Sequence, residues 1–452
     1  MSTFNMYVIT DTHYFASELG CSGEAYDRFM DFEQKCFAET QAINEAAFEW
    51  LGNAKDADTV LIAGDLSFNG ERKSHEQFLK LLKKLKDSGK RILVITAGHD
   101  YGNNSFAFKG GERLSVEGTP REELFDMYYD YGFSDALSVD RESLSYVTQL
   151  TDGVRLLALN CDGNSACPDT FPAREIEWIL RQTKKAREDS QTMIAMTHIP
   201  LLPGSPVLGH ISSAVMSNAE NIVNLLASEG VHLCFTGHMH NQSVKSRVTP
   251  SGDIFWDVCT GSLIGCPASM RYVTITDAHK IDIKTLPTPD FKWDFKGMTQ
   301  EEYFQNQFDM MINSMLDCMT GDTDRLCRKI GLPKGKAISK VLNTVGKKID
   351  NATLASVCRL FHIYCPSTIA DEHLRTLLTE IVRNIFVGDQ PYVPGTPEYD
   401  VIMGVVDRLR PVLAPVEKIM SKKSGKKVDL RNSVEVTVGN SGISDYNCSF
   451  EI

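Results

Sequence analysis

Residues 59–70 read Thr59-Val60-Leu61-Ile62-Ala63-Gly64-Asp65-Leu66-Ser67-Phe68-Asn69-Gly70. The first part of this stretch is a short apolar run, which is typical of a buried strand. Asp65 comes after that strand in a loop that ends at Gly70, and open α/β sheets bind their ligands at this end of a strand. Because Gly-Asp is also an ordinary turn, the significance of Asp65 depends on the residues at the ends of the other predicted strands.

Four other predicted strands also end in acidic or histidine residues. These strands cover residues 5–10, 91–96, 192–196 and 232–236, and strands that alternate with helical patterns predict a βαβ architecture. The polar residues directly after them are Asp11 and His13, His99 and Asp100, His198, and His238 and His240. If the sheets are wound as expected, all of these side chains meet at one edge.

Two of these pairs are spaced so that both members face the same way. Positions i and i+2 of extended backbone share a side, so Asp11 and His13 can face one ion, and His238 and His240 also share one side of their segment. A turn with a capping aspartate is the ordinary alternative for Asp11. Carboxylate and imidazole ligands without thiolate suit a catalytic dinuclear site for manganese, iron or zinc.

Length and patterning predict two domains. A chain of 452 residues is too long for one compact core. The pattern becomes mainly helical after Pro287-Thr288-Pro289. We therefore predict an α/β domain over residues 1–290 and a smaller, mainly helical C-terminal domain over residues 291–452.

Two local patterns give more specific expectations. Apolar residues near a 3.6-residue period predict one helix over residues 24–51. Near the end of the chain, the alternation of Val434, Val436 and Val438 predicts a final strand.

Composition narrows the classes of partner and the location. The formal charge of −12 argues against non-specific binding to nucleic acid or to an anionic membrane, and no apolar run is long enough to span a bilayer. The 12 cysteines include no C-x-x-C pair, which favours reduced core thiols over disulfides or a zinc site. Because a candidate catalytic strand comes directly after Met1-Ser2-Thr3-Phe4, we expect no cleaved leader and a cytoplasmic location. The oligomeric state stays open.

In their order and spacing, these motifs resemble the calcineurin-like metallophosphoesterase family. The resemblance covers about residues 1–285 and consists of Asp-x-His, Gly-Asp-x-x-x-x-Gly, His-Asp, a lone His, and Gly-His-x-His. It implies a four-layer α/β/β/α sandwich with two metal ions. Three strings are similar to a bacterial branch that carries an extra C-terminal helical domain: Asp11-Thr12-His13-Tyr14-Phe15, Gly64 to Gly70, and Thr260-Gly261-Ser262-Leu263.

The resemblance also implies a role for each motif residue. The first metal would be held by Asp11, His13, Asp65 and His240, and the second by Asp65, His198 and His238, with Asp65 as the bridge. His99 resembles the histidine that contacts the phosphate and protonates the leaving oxygen. Asp100 would orient His99 through its other ring nitrogen.

One position departs from the family pattern. The family reads Gly-Asn-His-Asp, and its Asn ligates the second metal, whereas this chain reads Ala97-Gly98-His99-Asp100. Gly98 offers no ligand, and Asn103 and Asn104 would need the loop to fold back. We therefore expect the second metal to bind more weakly.

The resulting prediction is metal-dependent hydrolysis of phosphoric esters. The similarity to the bacterial branch slightly favours a phosphodiesterase over a phosphomonoesterase. Its substrates would be small diesters, cyclic nucleotides included. A phosphomonoesterase is the alternative, since the dinuclear chemistry serves both. A metal-binding module weakened at Gly98 is a third interpretation.

Three further residues are candidates for substrate contact. Tyr14 and Asn69 lie beside predicted metal ligands in the sequence, and His210 lies beyond the strand that carries His198. A surface loop histidine is an equally good interpretation of His210.

Overall fold

The computed structural model describes residues 3–102, 104–161, 170–210, 214–329, 335–424, 427–439 and 442–452. The strands are β1 (Thr3–Ile9), β2 (Thr59–Ala63), β3 (Arg91–Ile95), β4 (Phe106–Lys109), β5 (Glu112–Ser115), β6 (Ser138–Asp140), β7 (Ser145–Thr151), β8 (Val154–Leu159), β9 (Thr192–Thr197), β10 (Val231–Thr236), β11 (Ser243–Val248), β12 (Ile254–Cys259), β13 (Ser269–Thr276), β14 (Lys280–Pro287) and β15 (Cys448–Glu451). The α-helices are α1 (Glu24–Met30), α2 (Thr40–Asn53), α3 (Arg72–Asp87), α4 (Leu124–Met127), α5 (Ala173–Glu188), α6 (Ala219–Ser228), α7 (Gln300–Thr320), α8 (Thr323–Lys329), α9 (Lys336–Asn351), α10 (Leu354–Phe361), α11 (Leu374–Val387), α12 (Pro397–Ser424) and α13 (Leu430–Val438).

Two mixed sheets carry the N-terminal part of the chain. The first has the order β15-β14-β13-β1-β2-β3, in which β1, β2 and β3 are parallel. The second has the order β11-β12-β10-β9-β8-β7-β6, in which β8, β9, β10 and β12 are parallel. The parallel strands of each sheet therefore end at the same edge, which is where their polar loops begin.

Side chains alternate between the two faces of the second sheet. In β8, Leu156 and Ala158 join the core that is shared with the first sheet. Leu157 and Leu159 point to the opposite face, where they pack with Trp178 of α5 and other apolar residues of α5 and α6. This alternation is the period-two pattern of a strand that is covered on both sides.

Helices α2 and α3 cover the outer side of the first sheet. Phe48 of α2 and Phe78 of α3 meet edge to face, with ring centroids 5.4 Å apart. Both side chains belong to the same hydrophobic core as the apolar residues of β1, β2 and β3. With α5 and α6 outside the second sheet, the layers are α/β/β/α. The predicted fold class, with a helical C-terminal region, is confirmed.

The helix predicted over residues 24–51 is two helices. Helix α1 ends at Met30 and α2 begins at Thr40. Between them the backbone pairs elsewhere: Lys35 bridges Gly265, and the Cys36 amide donates to the carbonyl oxygen of Ile264 at 2.8 Å. The prediction of one continuous helix was wrong because these contacts draw the chain away from the helix axis.

The predicted final strand at Val434, Val436 and Val438 was also wrong. These residues lie in α13, whose first turn is capped by the Asp429 side chain, which accepts from the Asn432 amide at 2.9 Å. An N-cap of this kind satisfies a backbone donor that a helix would otherwise leave free. The final strand is β15, which begins at Cys448 and pairs with β14.

The end of the chain is therefore part of the first sheet. Strand β15 runs antiparallel to β14, with Ile283 opposite Cys448. The fully buried guanidinium of Arg271 donates to the carbonyl oxygen of Asp445 at 2.6 Å and to that of Cys259 at 2.8 Å. The division into residues 1–290 and 291–452 stays a prediction, and residues 442–452 fold back across it.

Two further expectations concern the cysteines and the membrane. The eleven cysteines within the described residues are all free thiols, and Cys167 lies outside the described residues. Along the described ranges, no helix combines the length and the apolar character needed to cross a bilayer.

Candidate metal centre

Six predicted ligands form two adjacent groups at the shared strand edge. Asp11, His13 and His240 make up the first group, and within it one ligand atom of each residue lies within 4.8 Å of the others. Asp65, His198 and His238 make up the second group, by the same measure. The position of these residues at separate strand ends predicted that they meet at one edge, and the family resemblance implied their division between two metals. The fold brings all six together.

The first group is compact and buried. His240 Nε2 lies 3.0 Å from His13 Nε2 and 3.1 Å from Asp11 Oδ1, and His13 Nε2 lies 3.6 Å from the same Asp11 oxygen. These separations are those of atoms that surround one cation at about 2.0–2.2 Å each. The three residues are at most 5% exposed.

Asp65 lies between the two groups. Its Oδ2 atom is 3.0 Å from His198 Nε2 and 3.6 Å from His13 Nε2. Its other oxygen accepts from the His99 backbone amide at 3.1 Å. One carboxylate oxygen thus faces ligands of both groups, which is the placement expected of a bridging ligand.

The chemistry of the donor atoms fits two cations. His198 Nδ1 donates to the carbonyl oxygen of Ala63 at 2.7 Å, so Nε2 is the nitrogen that remains for a metal. His198 Nε2 and Asp11 Oδ1 are buried, and within the described part of the chain their nearest polar neighbours are ligand atoms of the site that lack hydrogen-bonding angles. Buried polar atoms are normally satisfied, and one cation in each group would satisfy these two.

The backbone at the site is unusual. Five of the six residues have positive φ angles: Asp11 at 50°, His13 at 36°, Asp65 at 50°, His238 at 67° and His240 at 54°. Each such residue costs roughly 1–3 kcal/mol and persists only where its surroundings enforce it. Hydrogen bonds between loops do so here, from the Asp11 amide to the carbonyl oxygen of Gly64 at 3.1 Å and from the His13 amide to that of Asp65 at 2.9 Å.

Two glycines, Gly64 and Gly237, allow the loops that carry the ligands to approach each other closely. A Cβ atom at Gly237 would lie 2.0 Å from Thr10 Oγ1 and 2.5 Å from Asp11 Oδ2. A Cβ atom at Gly64 would lie 2.8 Å from His198 Nδ1, and Gly64 has a φ of 91°. A side chain at either position would displace a ligand.

Burial and opposite charge act together on the ionisable groups. Burial alone would raise the pKa of the Asp65 carboxyl, but His198 and His99 hold that pKa well below its usual range. Burial disfavours the His198 imidazolium, but Asp65 and Asp11 raise the pKa of His198 to about 10. Burial, with a contribution from the Lys35 ammonium, lowers the pKa of His13 well below its usual value.

His99 is at the site, but Asp100 does not orient it. His99 Nδ1 donates to the carbonyl oxygen of Phe68 at 2.7 Å and lies 3.1 Å from Asn69 Oδ1. The Asp100 carboxylate instead accepts from the backbone amides of Ser67 and Ala97, each at 2.8 Å. The predicted Asp100–His99 contact was therefore wrong, because a main-chain carbonyl occupies the position next to His99 Nδ1.

Asp100 has a structural role in this arrangement. It ties the loop after β2 to the loop after β3 through the amides of Ser67 and Ala97. Burial, and then the nearby Asp65 carboxylate, raise the pKa of Asp100 well above its usual value.

The position at which the family has its Asn ligand is sterically unobstructed in this chain. Gly98 is exposed, and a Cβ atom built on it would meet nothing within 4 Å. Asn104 is exposed, and its carbonyl oxygen accepts from Asn69 Nδ2 at 3.3 Å, while Asn103 lies outside the described residues. The side chain that the family uses here would therefore fit.

The three candidate substrate residues lie in different surroundings. Asn69 contacts the ring of His99. The Tyr14 hydroxyl donates to Gln77 Oε1 at 3.1 Å, which directs it toward α3. The exposed His210 ring lies 3.1 Å from Ser433 Oγ of α13, and none of its described contacts joins a metal ligand. Substrate contact by these residues stays a prediction.

Two residues beside the site were not predicted. The Gln34 side-chain amide contacts His240 Nδ1. The Lys35 ammonium lies 4.6 Å from the centroid of the Phe68 ring, and that ring lies 5.7 Å from the ring of His13. Both residues fall in the stretch that the sequence pattern assigned to one long helix, and no local signal distinguishes them.

Comparison with known proteins gives the family of the chain. The family model described as calcineurin-like phosphoesterase matches residues 4–242, more than half of the chain. No curated protein matches the chain.

The solved structures that match this chain include two phosphatases. A dimetal phosphatase from Danio rerio has 13% identity and a TM-score of 0.46, with 64% of this chain and 97% of that chain covered. A purple acid phosphatase from yellow lupin, Lupinus luteus, has 14% identity and a TM-score of 0.41, with 64% of this chain and 52% of that chain covered. By the match of its residues 4–242, this chain belongs to the calcineurin-like phosphoesterase family.

Proposed function

We propose that the chain hydrolyses small phosphoric esters with two metal ions, of the manganese, iron or zinc class. The observation that carries this proposal is the Asp65 carboxylate, whose Oδ2 atom faces His198 Nε2 at 3.0 Å and His13 Nε2 at 3.6 Å. A carboxylate shared in this way by two ligand groups suits a pair of cations that clamp one phosphoryl group.

The protein's own groups account for the rest of the chemistry. Bound cations would supply positive charge to the phosphoryl oxygens and acidify a water molecule. His99 Nδ1 is fixed as a donor to the Phe68 carbonyl oxygen, so Nε2 is the nitrogen from which His99 in its imidazolium form can pass a proton to the leaving oxygen. The ring then remains neutral with its proton on Nδ1. The buried loops around Asp11 and Asp65 exclude bulk water, which strengthens the interactions between charged groups.

A monoanionic diester is the first substrate class that we propose, cyclic nucleotides included. Gly98 supports it, because it is exposed and a Cβ atom there would meet no residue other than its two chain neighbours within 4 Å. The space beside His99 can thus receive the second ester group of a diester. The similarity of the sequence to a bacterial branch of the family points the same way.

One observation favours a phosphomonoester instead. Lys35 is 8% exposed, its ammonium lies over the Phe68 ring, and its carboxylate partner Glu33 is 3.5 Å away. A buried cation beside the metal groups would attract the second negative charge of a monoester, and charges interact strongly where water is excluded.

The test is hydrolysis of bis-p-nitrophenyl phosphate and p-nitrophenyl phosphate by the manganese-loaded chain. Faster turnover of the diester supports the first class, and faster turnover of the monoester supports the second. Lys35→Met should then lower kcat/KM for the monoester more than for the diester. Two bound metals with no turnover of either ester would overturn the proposal and favour a non-catalytic metal-binding module.

A further inference from the structure

The chain between α1 and α2 lies against the first metal group. We name residues 31–39 the covering segment. Its Gln34 amide contacts His240 Nδ1, and the next residue, Lys35, is buried against Phe68. On its other side the segment pairs with the loop after β12, where Lys35 bridges Gly265.

The Gln34 contact bears on how His240 presents its ligand nitrogen. His240 Nε2 faces Asp11 and His13, so Nδ1 carries the ring proton when Nε2 binds a cation. A proton on Nδ1 needs an acceptor. Gln34 Nε2 faces Nδ1 in this structure, and a half-turn of the amide brings Gln34 Oε1 to the same position as an acceptor. Histidine ligands generally rely on such a partner to fix the ring and to raise its basicity.

The C-terminal helices hold the covering segment in place. Helices α7 and α8 reach it through one carbonyl, two carboxylates and one aromatic ring. The contacts are Gln307 Nε2 to the Glu33 carbonyl oxygen at 2.8 Å, Tyr303 Oη to Glu39 Oε1 at 2.5 Å, Arg325 Nη1 to Asp31 Oδ2 at 2.7 Å, and the Arg325 guanidinium over the Phe32 ring at 4.2 Å. Gln34 is therefore placed from both sides, by the loop after β12 and by these helices.

We propose that Gln34 is a positioning residue for His240 and that α7 and α8, acting through the covering segment, set the metal affinity of the first group. The inference rests on the proposed function only in requiring that Asp11, His13 and His240 bind a metal. It assigns a task to the helical region, which lies outside the matched residues 4–242.

The expected effects differ in size along this chain of contacts. Loss of a partner that orients a ligand typically weakens metal binding by roughly 10–100-fold. Gln34→Leu removes the acceptor at similar volume and should have an effect of this size. Gln34→Glu keeps an acceptor and should bind at least as tightly as the unchanged chain. Gln307→Leu acts one step further away and should have a smaller effect in the same direction.

The experiment is titration of the chelator-treated full chain with Mn²⁺ by calorimetry, and with Co²⁺ by its visible absorption. The matched control for Gln307→Leu is Gln305→Leu. Gln305 also lies on α7, but its side-chain amide donates to Glu301 one turn away on the same helix. We expect tight-site affinity to fall in Gln34→Leu, to recover in Gln34→Glu and to stay unchanged in Gln305→Leu.

Several outcomes would overturn the inference. One is a Gln34→Leu chain that binds Mn²⁺ as the unchanged chain does, and another is a Gln34→Glu chain that binds as weakly as Gln34→Leu. If Gln307→Leu and Gln305→Leu had the same metal affinity, α7 and α8 would have no influence on metal binding and that half of the inference would be wrong. The readout of this experiment is metal affinity and does not require turnover. If the unsubstituted chain binds two metals but hydrolyses no ester, the proposed function is overturned, whereas the test of Gln34 remains valid.

Discussion

The Nδ1 atom of His99 lies 2.7 Å from the carbonyl oxygen of Phe68. A carbonyl oxygen can only accept, so this contact assigns the Nδ1 proton and leaves Nε2 as the other ring nitrogen of His99. The centroids of the His99 and His13 rings are 5.0 Å apart. The loop that carries Asp65 thus also fixes the residue that we assign as the proton donor.

Replacement of that donor should slow turnover without removing the metals. His99→Ala is expected to lower kcat by roughly 10²–10⁴-fold for an ester with a poor leaving group, because a positioned acid contributes about that much. The loss should be smaller with p-nitrophenolate, which leaves without help.

Two measurements check this prediction of a general acid. One is the dependence of kcat on leaving-group pKa, and the other is the metal content of the purified variant. Asn69→Ala serves as the control, since it removes the longer of the two His99 contacts and keeps the Phe68 carbonyl. Equal losses for good and poor leaving groups would contradict the role.

Restoring the family side chain at position 98 should strengthen the second metal. A Cβ atom at Gly98 meets nothing within 4 Å, so Gly98→Asn can be accommodated. The family pattern implies that the amide oxygen of this side chain would ligate the second metal. We expect the weaker of two Mn²⁺ dissociation constants to fall, with a gain in rate at limiting metal. Gly98→Ala is the control, because it adds the Cβ atom without a ligand, and an equal effect of both variants would refute the explanation.

Manganese should stabilise the chain, and more strongly as the pH rises. A cation that binds only the folded state, at a free concentration of 100 times its dissociation constant, adds about 2.7 kcal/mol to the free energy of unfolding. The pKa of His198 is raised to about 10 when no cation is bound, so a proton must leave Nε2 before a metal binds there.

The measurement is the shift of the thermal unfolding midpoint with Mn²⁺ between pH 6 and 8. Asp65→Asn should abolish the shift, whereas Asp58→Asn should keep it, because the Asp58 side chain is 88% exposed. A shift that does not grow with pH would contradict the proton displacement.

Glu71 should make the folded state less stable as the pH rises. Burial raises the pKa of this carboxyl from 4.5 to about 7. Between these values the unfolded state loses its proton first, so the free energy of unfolding falls as the pH rises from about 4.5 to 7. The loss is on the order of 3 kcal/mol at 1.36 kcal/mol per pKa unit.

Glu71→Gln should remove this part of the pH dependence. The check is urea unfolding of both chains at pH 5 and pH 7.5, with the exposed Glu76→Gln as the control. The difference in stability between Glu71→Gln and the unchanged chain should grow in favour of the variant at the higher pH. A constant difference would show that Glu71 does not hold its proton in the folded state.

The metal groups were predictable because each ligand is marked locally. Asp65 and His198 each come after a buried apolar strand, and parallel strands end at one edge, so their convergence can be inferred from the pattern. The contacts of Gln34 and Phe68 were not predictable. Gln34 meets His240 across 206 residues, and Phe68 acts through a carbonyl oxygen that every residue possesses.

Local pattern also misled at the end of the chain. Alternating valines favour a strand, but Asp429 caps a helix there, and Ser433 and Thr437 of its inner face contact His210 and the Val207 amide. These partners lie more than two hundred residues away in the sequence. Tertiary contacts of this kind override a weak β preference.

The return of the last residues to the first sheet limits how the chain can be shortened. A protein cut after residue 290 would lose β15 and leave the Lys280–Ile283 part of β14 with bare backbone donors and acceptors. Arg271 would also lose the carbonyl oxygens of Asp445 and Tyr446. Exposed strand edges recruit other chains, so such a fragment should aggregate even with every metal ligand intact.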